Sequence, residues 1–378
     1  MYSKELISIK KSNRFRTREV FNKNIIDLAS NDYLGLSTNK DIFQKAYERV
    51  LQEQYTSPKA SMLVNGYNQI HKDFEDTLCK VNKFEAGVAV GSGFLANISM
   101  IEALCRNNDT LFIDEEYHAS GILATKLLRP EQVIVFNHND YKDLEEKILN
   151  NTRSGRKIIA IEGVYSMGGD VAPKEFFDIS SKYKAILLVD EAHSSGVIGD
   201  NLLGLFDYYK IKPNKYHVKM GTLGKAYGSY GSYILASKEI IDFLVNRAKP
   251  IIYSTAPSLF DIALGLESLK YIIENKKVLK EKINKNLTII HRILDIKSQS
   301  LIIPIDIADN KKVKEIQAIL LEQNYIVGAI RQPTVNSAII RLIAKIDINE
   351  DDLIKVCKIL KELNKNDNKR FNKRKSEV

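Results

Sequence analysis

Between about residues 40 and 250, short apolar runs alternate with amphipathic stretches. The runs fall at 87–90, 110–114, 132–136, 157–162, 185–190, 217–221 and 232–236 and are rich in Val, Ile, Leu and Phe. Continuous apolar runs of this length, without strict alternation, are the pattern of strands buried on both faces. With helical stretches between them they predict an α/β fold built on a mostly parallel seven-stranded sheet. After Pro257 a helical pattern covers 259–294, followed by a strand at 301–306, a helix near 312–323, and strands at 326–330 and 338–343. A last helix starts near Asn349, a good N-cap, with acids in its first turn. Its apolar positions Leu353, Val356, Cys357, Leu360 and Leu363 keep the i, i+3, i+4, i+7 rhythm. The division expected is an N-terminal arm over 1–40 that includes a short strand at 24–29, a large domain over 41–255, a smaller α+β domain over 256–364, and a basic, disordered tail over 365–378.

Composition adds exclusions. With 378 residues, 44% hydrophobic and 27% charged, the chain can bury a sizeable core. No apolar run is long enough to span a membrane, and the polar, basic N-terminus lacks a secretory signal, so a cytoplasmic location is expected. Cys79, Cys105 and Cys357 are scattered, which argues for small buried hydrophobes rather than a disulfide framework or a zinc site. The net charge of +9 draws heavily on the tail, so a nucleic-acid partner is not expected. No cluster has metal-ligand spacing, and no catalytic metal is expected.

Since ligands of parallel sheets bind beyond the carboxyl ends of the strands, the residues there carry the candidate chemistry. Lys225 follows Thr222 by three and precedes Gly228 by three, an amine in a tight, anion-lined turn. Asp190 ends the most hydrophobic run, with His193 three residues on. A lysine amine, a strand-end carboxylate and an imidazole together describe a pyridoxal phosphate (PLP) site. The lysine condenses with the aldehyde, and the aspartate keeps the pyridine nitrogen protonated so that the ring accepts electrons. Gly91-Ser92-Gly93-Phe94 follows a strand and opens a helix, a turn suited to an anion but also to simple chain reversal. His118 can stack on a pyridine face and supply a proton, or be an ordinary polar residue. The glycines of 228–231 are read as backbone room beside a bulky ligand.

With these residues assembled, the chain resembles the α-oxoamine synthases, PLP enzymes of aspartate-aminotransferase-like fold (fold type I). The motifs lie at 31–36 (Asn-Asp-Tyr-Leu-Gly-Leu), 91–97, 117–120, 162–170, 189–193, 221–225 and 252–255, in the family's order. The family joins a small amino acid to an acyl thioester with loss of carbon dioxide. Within it, 329–335 (Ala-Ile-Arg-Gln-Pro-Thr-Val) is most similar to the branch that joins L-alanine to a pimeloyl thioester in biotin biosynthesis. The resemblance implies that Lys225 binds the cofactor covalently, His118 stacks on it, and Asp190 holds its ring nitrogen. It places His193 and Ser166 near the ring oxygen, and Gly93, Phe94 and Thr222 on the phosphate side. Thr255 would be donated by the second subunit of a homodimer. Arg341 would grip the amino acid carboxylate, with Arg14 (rather than Arg16), Asn31, His118 and Thr334 also facing substrate. The chain departs from the family at Met62, where a charged residue is common before Leu63-Val64-Asn65-Gly66-Tyr67. Weighed against this reading are a glycine-using sister synthase, an aminotransferase or lyase of the same fold, and a non-catalytic or DNA-binding relative. His118 speaks against the aminotransferase, and the retained Lys225, Asp190, His118 and His193 speak against a silent relative. The acyl carrier, CoA or a carrier protein, stays open.

Overall fold

The computed structural model describes residues 1–12 and 14–375, with side chains described up to 364. Its strands are β1 (Ile26–Leu28), β2 (Ala86–Val90), β3 (Thr110–Asp114), β4 (Val133–Phe136), β5 (Lys157–Glu162), β6 (Ile186–Asp190), β7 (His217–Thr222), β8 (Ser232–Ala236), β9 (Ile302–Asp306), β10 (Tyr325–Ile330) and β11 (Ile339–Ile343). Seven of them form one sheet in the order β2-β8-β7-β6-β5-β3-β4. β8 runs antiparallel to both of its neighbours, and every other pairing is parallel. The seven runs predicted from the sequence are these seven strands.

Strand parity sorts the interior. In β5, Ile159 and Ile161 join one apolar cluster, while Ile158 and Ala160 join the cluster on the opposite face. In β6, Leu187 and Val189 separate from Ile186 and Leu188 in the same way. Successive side chains of a strand point to opposite faces, so a run apolar at every position must be covered on both. Helix Gly93–Leu104 contributes Met100 and Ile101 to the second cluster. Glu162, Asp190 and Thr222 have the parity of that face and stand at the ends of β5, β6 and β7.

A second sheet has the order β1-β10-β11-β9. The short strand expected near the N-terminus is present, and it pairs in parallel with β10, Ile26 opposite Tyr325. Helix Leu259–Leu294 spans 36 residues; it is capped by Ser258, whose side chain accepts from Asp261, and ends at Asp295 in the left-handed region. The final helix is Glu350–Lys375, with the Asn349 side chain accepting from Asp351 at 2.9 Å. The expected tail from 365 on therefore falls on residues described at most as helix backbone, and 376–378 lie outside the described residues. A helix at Ser3–Lys11 was not expected: it buries no residue and leaves Leu6 and Ile7 exposed. No helix of the described residues is long and apolar enough to cross a membrane.

Candidate active site

The site assembles where β5, β6 and β7 end. Asp190 is buried, and its two oxygens are held separately: Asn97 Nδ2 donates to Oδ2 at 2.8 Å and the Ala192 N–H donates to Oδ1 at 2.9 Å. Asn97 is fixed in turn, accepting from the Tyr117 hydroxyl at 2.7 Å and donating to Ser120 Oγ at 2.9 Å. This gives the carboxylate one orientation before any ligand arrives, the condition under which a charge-assisted bond is most effective. The next residue, Glu191, has the opposite parity and lies in the other layer. There it accepts from Ser194 Oγ and from the Leu205 N–H, and it stands 3.8 Å from the buried Lys219. Adjacent acids thus serve different sides of the sheet.

Lys225 lies past the end of β7, its Nζ 2.7 Å from His193 Nε2. The other nitrogen of His193 is 2.5 Å from the Tyr33 hydroxyl. Burial pushes the Lys225 amine down to about 8, against the pull of Asp190 and Glu162. Burial, with the charges of Lys225 and Arg341, holds His193 well below its ordinary value, so it is a neutral imidazole. A neutral ring nitrogen accepts from the lysine ammonium and draws it into the site. His118 caps helix Ala119–Thr125: its Nδ1 is 2.7 Å from Ser120 Oγ and accepts from the Ser120 N–H at 3.2 Å. Burial lowers its pKa as well, and the Asp190 charge opposes the shift.

Opposite these groups, Arg341 of β11 is buried and held at both ends of its guanidinium. Nε donates to the Ser166 carbonyl at 2.7 Å, and Nη1 and Nη2 each donate to Asn31 Oδ1 at 3.0 Å. The second sheet thus reaches the ends of the first through one side chain. Ser166 is buried, and its N–H donates to Glu162 Oε2 at 3.1 Å.

Gly93 and Phe94 open helix Gly93–Leu104, whose N-cap Ser92 accepts from the Leu95 N–H. A Cβ at Gly93 would stand 3.9 Å from Thr222 Oγ1, so helix N-terminus and threonine hydroxyl sit side by side. Free N–H groups beside a hydroxyl suit an anion. Phe94 and Thr255 are exposed. Arg14, Arg16 and Thr334 line a cavity of about 240 Å³ with Gln332 and with Ala329 and Ile330 of β10, the strand that pairs with the one carrying Arg341. Met62 is half-buried and packs on the cluster that includes Val88 and Met100. One reading is corrected: Gly228 makes room for the chain itself. Its φ is +59°, and a Cβ there would come within 2.5 Å of the Ser37 backbone nitrogen.

Sequence reasoning did not single out Tyr33 or Asn97, and it placed Glu162 at a strand end without giving it a role. All three lie inside motifs that were noted, but their roles come from contacts over long sequence distances. Only Glu162 left a signal, as the polar last residue of an apolar run whose neighbour in the sheet ends in Asp190.

The loop 163–171, which carries Ser166, is anchored by His138. Its Nδ1 is 2.9 Å from Asp114 Oδ1, its Nε2 is 2.9 Å from Asp170 Oδ2, and the Tyr165 ring meets it edge-on at 4.3 Å. Burial opposes the charged ring, but the hydrogen bonds to Asp114 and Asp170 outweigh it and raise the pKa from 6.5 to about 10. A raised pKa means that this stabilisation is complete below about 6.5 and is lost as pH rises toward about 10. His138→Gln is expected to cost about 1.5–3 kcal/mol at pH 6 in denaturant unfolding, the range for hydrogen bonds to a charged group. The gap to the parent should narrow at alkaline pH; a constant gap would mean that the ring is neutral.

The model of class I and II aminotransferases matches residues 23–360. The 8-amino-7-oxononanoate synthases of Helicobacter pylori strains J99 and 26695 are 43% and 46% identical, over 97% and 90% of this chain and 98% and 92% of their own. Among solved structures, a serine palmitoyltransferase from S. paucimobilis with a bound PLP–myriocin adduct has a TM-score of 0.86 at 20% identity, covering 96% of both chains. The 8-amino-7-oxononanoate synthase of Francisella tularensis has a TM-score of 0.77 at 24% identity, covering 92% of this chain and 99% of its own. At those identities the solved structures show the shared fold. The residues present fit PLP: a lysine amine, an aligned carboxylate, and a helix N-terminus beside a threonine hydroxyl converge at the ends of three strands. The chain belongs to the class I and II aminotransferase family and, within it, to the α-oxoamine synthases of the biotin pathway, which are PLP-dependent acyltransferases.

Proposed function

We propose that the chain condenses L-alanine with a pimeloyl thioester, releasing carbon dioxide and a free thiol and forming 8-amino-7-oxononanoate. The observation that carries the reading is Arg341, buried among Asn31, Ser166 and Tyr33 and set across from Lys225 and Asp190. Three of its five N–H groups are engaged by Ser166 and Asn31, the Tyr33 hydroxyl also meets the guanidinium, and the planar fork matches the geometry of an amino acid carboxylate. When bound, PLP supplies the electron sink that both carbanion formation and decarboxylation require. Lys225, with an amine near 8, is neutral often enough at physiological pH to take the α-proton of the amino acid and later return one. Asp190 would hold the ring nitrogen, and His193 with Ser166 would hold the ring oxygen. His118 would help to hold the cofactor ring and could supply a proton on the thioester side. Gly93, Phe94 and Thr222 would hold the phosphate.

The cavity lined by Arg14, Arg16 and Thr334 suits the far carboxylate of a dicarboxylic acyl chain, since guanidinium forks match carboxylates. Thr255 and Phe94, exposed in the single chain, serve at the interface of a homodimer whose two sites share residues.

A thiol-release assay across alanine, glycine and serine, each with acetyl, glutaryl and pimeloyl thioesters of CoA, tests the reading. Alanine with the pimeloyl thioester should exceed the other pairs by about tenfold or more, the scale on which one methyl group or one carboxylate pairing discriminates. A strong preference for glycine with acetyl-CoA would overturn it.

A further inference from the structure

Loop 163–171 joins the two sheets beside the site. On the side of the second sheet, the Ser166 carbonyl accepts from Arg341 Nε at 2.7 Å and the Gly169 carbonyl accepts from Ser300 Oγ at 2.6 Å. Gly169 has φ +71°, and a Cβ there would collide with the Ile302 carbonyl of β9. The loop is also closed on itself. Val164 bridges to Val171, the Tyr165 N–H donates to the Asp170 carbonyl at 3.0 Å, and the Gly169 N–H donates to the Tyr165 carbonyl at 2.8 Å. Asp170 and the Ser166 carbonyl therefore belong to one tight turn, and holding the first places the second. The hold on Asp170 comes from His138 Nε2, with Asn139 Nδ2 donating to the same oxygen. The other ring nitrogen of His138 faces Asp114, a buried acid at the end of β3. A neutral imidazole has one acceptor nitrogen, which would set a lone pair against a carboxylate oxygen on one side or the other. Two carboxylates on two ring nitrogens call for two protons, and hence a charged ring. The remaining acids around it are Glu116, 3.8 Å from Nε2, and Glu115, whose carboxylate accepts from the His138 N–H at 3.0 Å.

We propose that charged His138 is a positioning residue for the amino acid substrate: by clamping loop 163–171 to the end of β3, it fixes the Ser166 carbonyl that orients Arg341. This rests on the reading of Arg341 as the partner of the amino acid carboxylate, and it confines the effect of the clamp to that substrate. Nε and the two terminal nitrogens of a guanidinium share one plane, so the bond from Nε to Ser166 sets the tilt of the whole fork. A small misplacement of such a group weakens its hold on a ligand without removing it. Burial opposes the charge on His138, yet the hydrogen bonds to Asp114 and Asp170 carry the pKa up to about 10. The clamp is thus complete at neutral pH and loosens as pH rises toward that value.

Two variants of the holoenzyme test this. His138→Gln keeps the bulk but cannot donate to both acids, and Asp170→Asn leaves His138 on Asp114 and removes the charge from the loop. With alanine and pimeloyl-CoA, each should raise the KM for alanine, by about tenfold for His138→Gln, the scale for losing a hydrogen bond between charged groups. The KM for the thioester should stay within about twofold and kcat within about threefold, since uniform binding of one substrate is what is lost. Hydrogen exchange in peptides covering 163–171 should quicken by about tenfold in His138→Gln, the same loss read in the loop itself. The ratio of the variant's alanine KM to the parent's should narrow as pH rises toward about 10, because the parent's ring then gives up its second proton. Titration of the amino acid is common to both proteins and cancels in that ratio. An alanine KM within about twofold of the parent in both variants, or an equal rise for both substrates, would overturn the proposal. So would unchanged exchange in the loop, or a ratio that stays constant with pH, which would mean that the ring is neutral. Arg341→Lys is the control for the underlying reading. If it leaves the alanine KM unchanged, the carboxylate reading is overturned and the positioning role with it, while exchange would still show whether His138 holds the loop.

Discussion

Replacing Lys225 with alanine is expected to abolish turnover, by at least about 10³-fold, and to leave the purified protein without the visible absorbance of lysine-bound PLP. The amine does two things that no neighbour can take over. It forms the covalent link to the cofactor, and it moves the proton at the α-carbon, a role that contributes about 10²–10⁴-fold by itself. The nearest basic group, His193, is 2.7 Å from Nζ but is held neutral and tied to Tyr33 on its other side. It cannot swing to the substrate without breaking that bond. Among the described residues Lys225 hydrogen-bonds to His193 and belongs to neither apolar cluster, so its removal should move the unfolding midpoint little. Loss of activity with an intact unfolding transition is therefore the expected pair of results. An alanine variant that retained both turnover and absorbance would remove Lys225 from the chemistry.

Asp190→Asn should lower kcat by about 10²–10³-fold, the scale for deleting one preorganised electrostatic group from a water-poor site. The substitution is nearly isosteric. Its amide oxygen can still accept from Asn97 or from the Ala192 N–H, so the side chain should stay in place. What disappears is the negative charge facing the ring nitrogen. PLP should bind more weakly in an absorbance titration while the thermal midpoint stays near that of the parent. A variant within about threefold of the parent in kcat would mean that another group holds the ring nitrogen protonated. Glu162, one strand away in register, would be the first to examine, because loss of the Asp190 charge makes it easier to ionise.

Much of the fold was legible. The seven strands of the large sheet, helix Leu259–Leu294 and the strands of the second sheet stand where apolar periodicity puts them. These are the segments whose side-chain pattern repeats with a single period, and burial of one or both faces enforces that period. Helix Ser3–Lys11 was not legible because it buries nothing, so no apolar face marks it. The site was legible as a set of residue types at strand ends: Lys225, Asp190, His193 and Thr222 could be named from their spacing and their position after apolar runs. The pairing of β1 with β10 could not be seen, since a three-residue strand carries no mark of its partner.

The chain's linear order determined which residues are available for chemistry, and strand parity determined which of them share a face: Asp190 turns to the site and Glu191 away from it. Only the folded molecule decided who holds whom. Arg341 and Asn31 are 310 positions apart yet meet at 3.0 Å, and Asn97 reaches Asp190 across 93 positions. Such contacts arise because two sheets and a helix converge on the same strand ends. A hydrogen bond depends on distance in space, which a one-dimensional pattern does not carry.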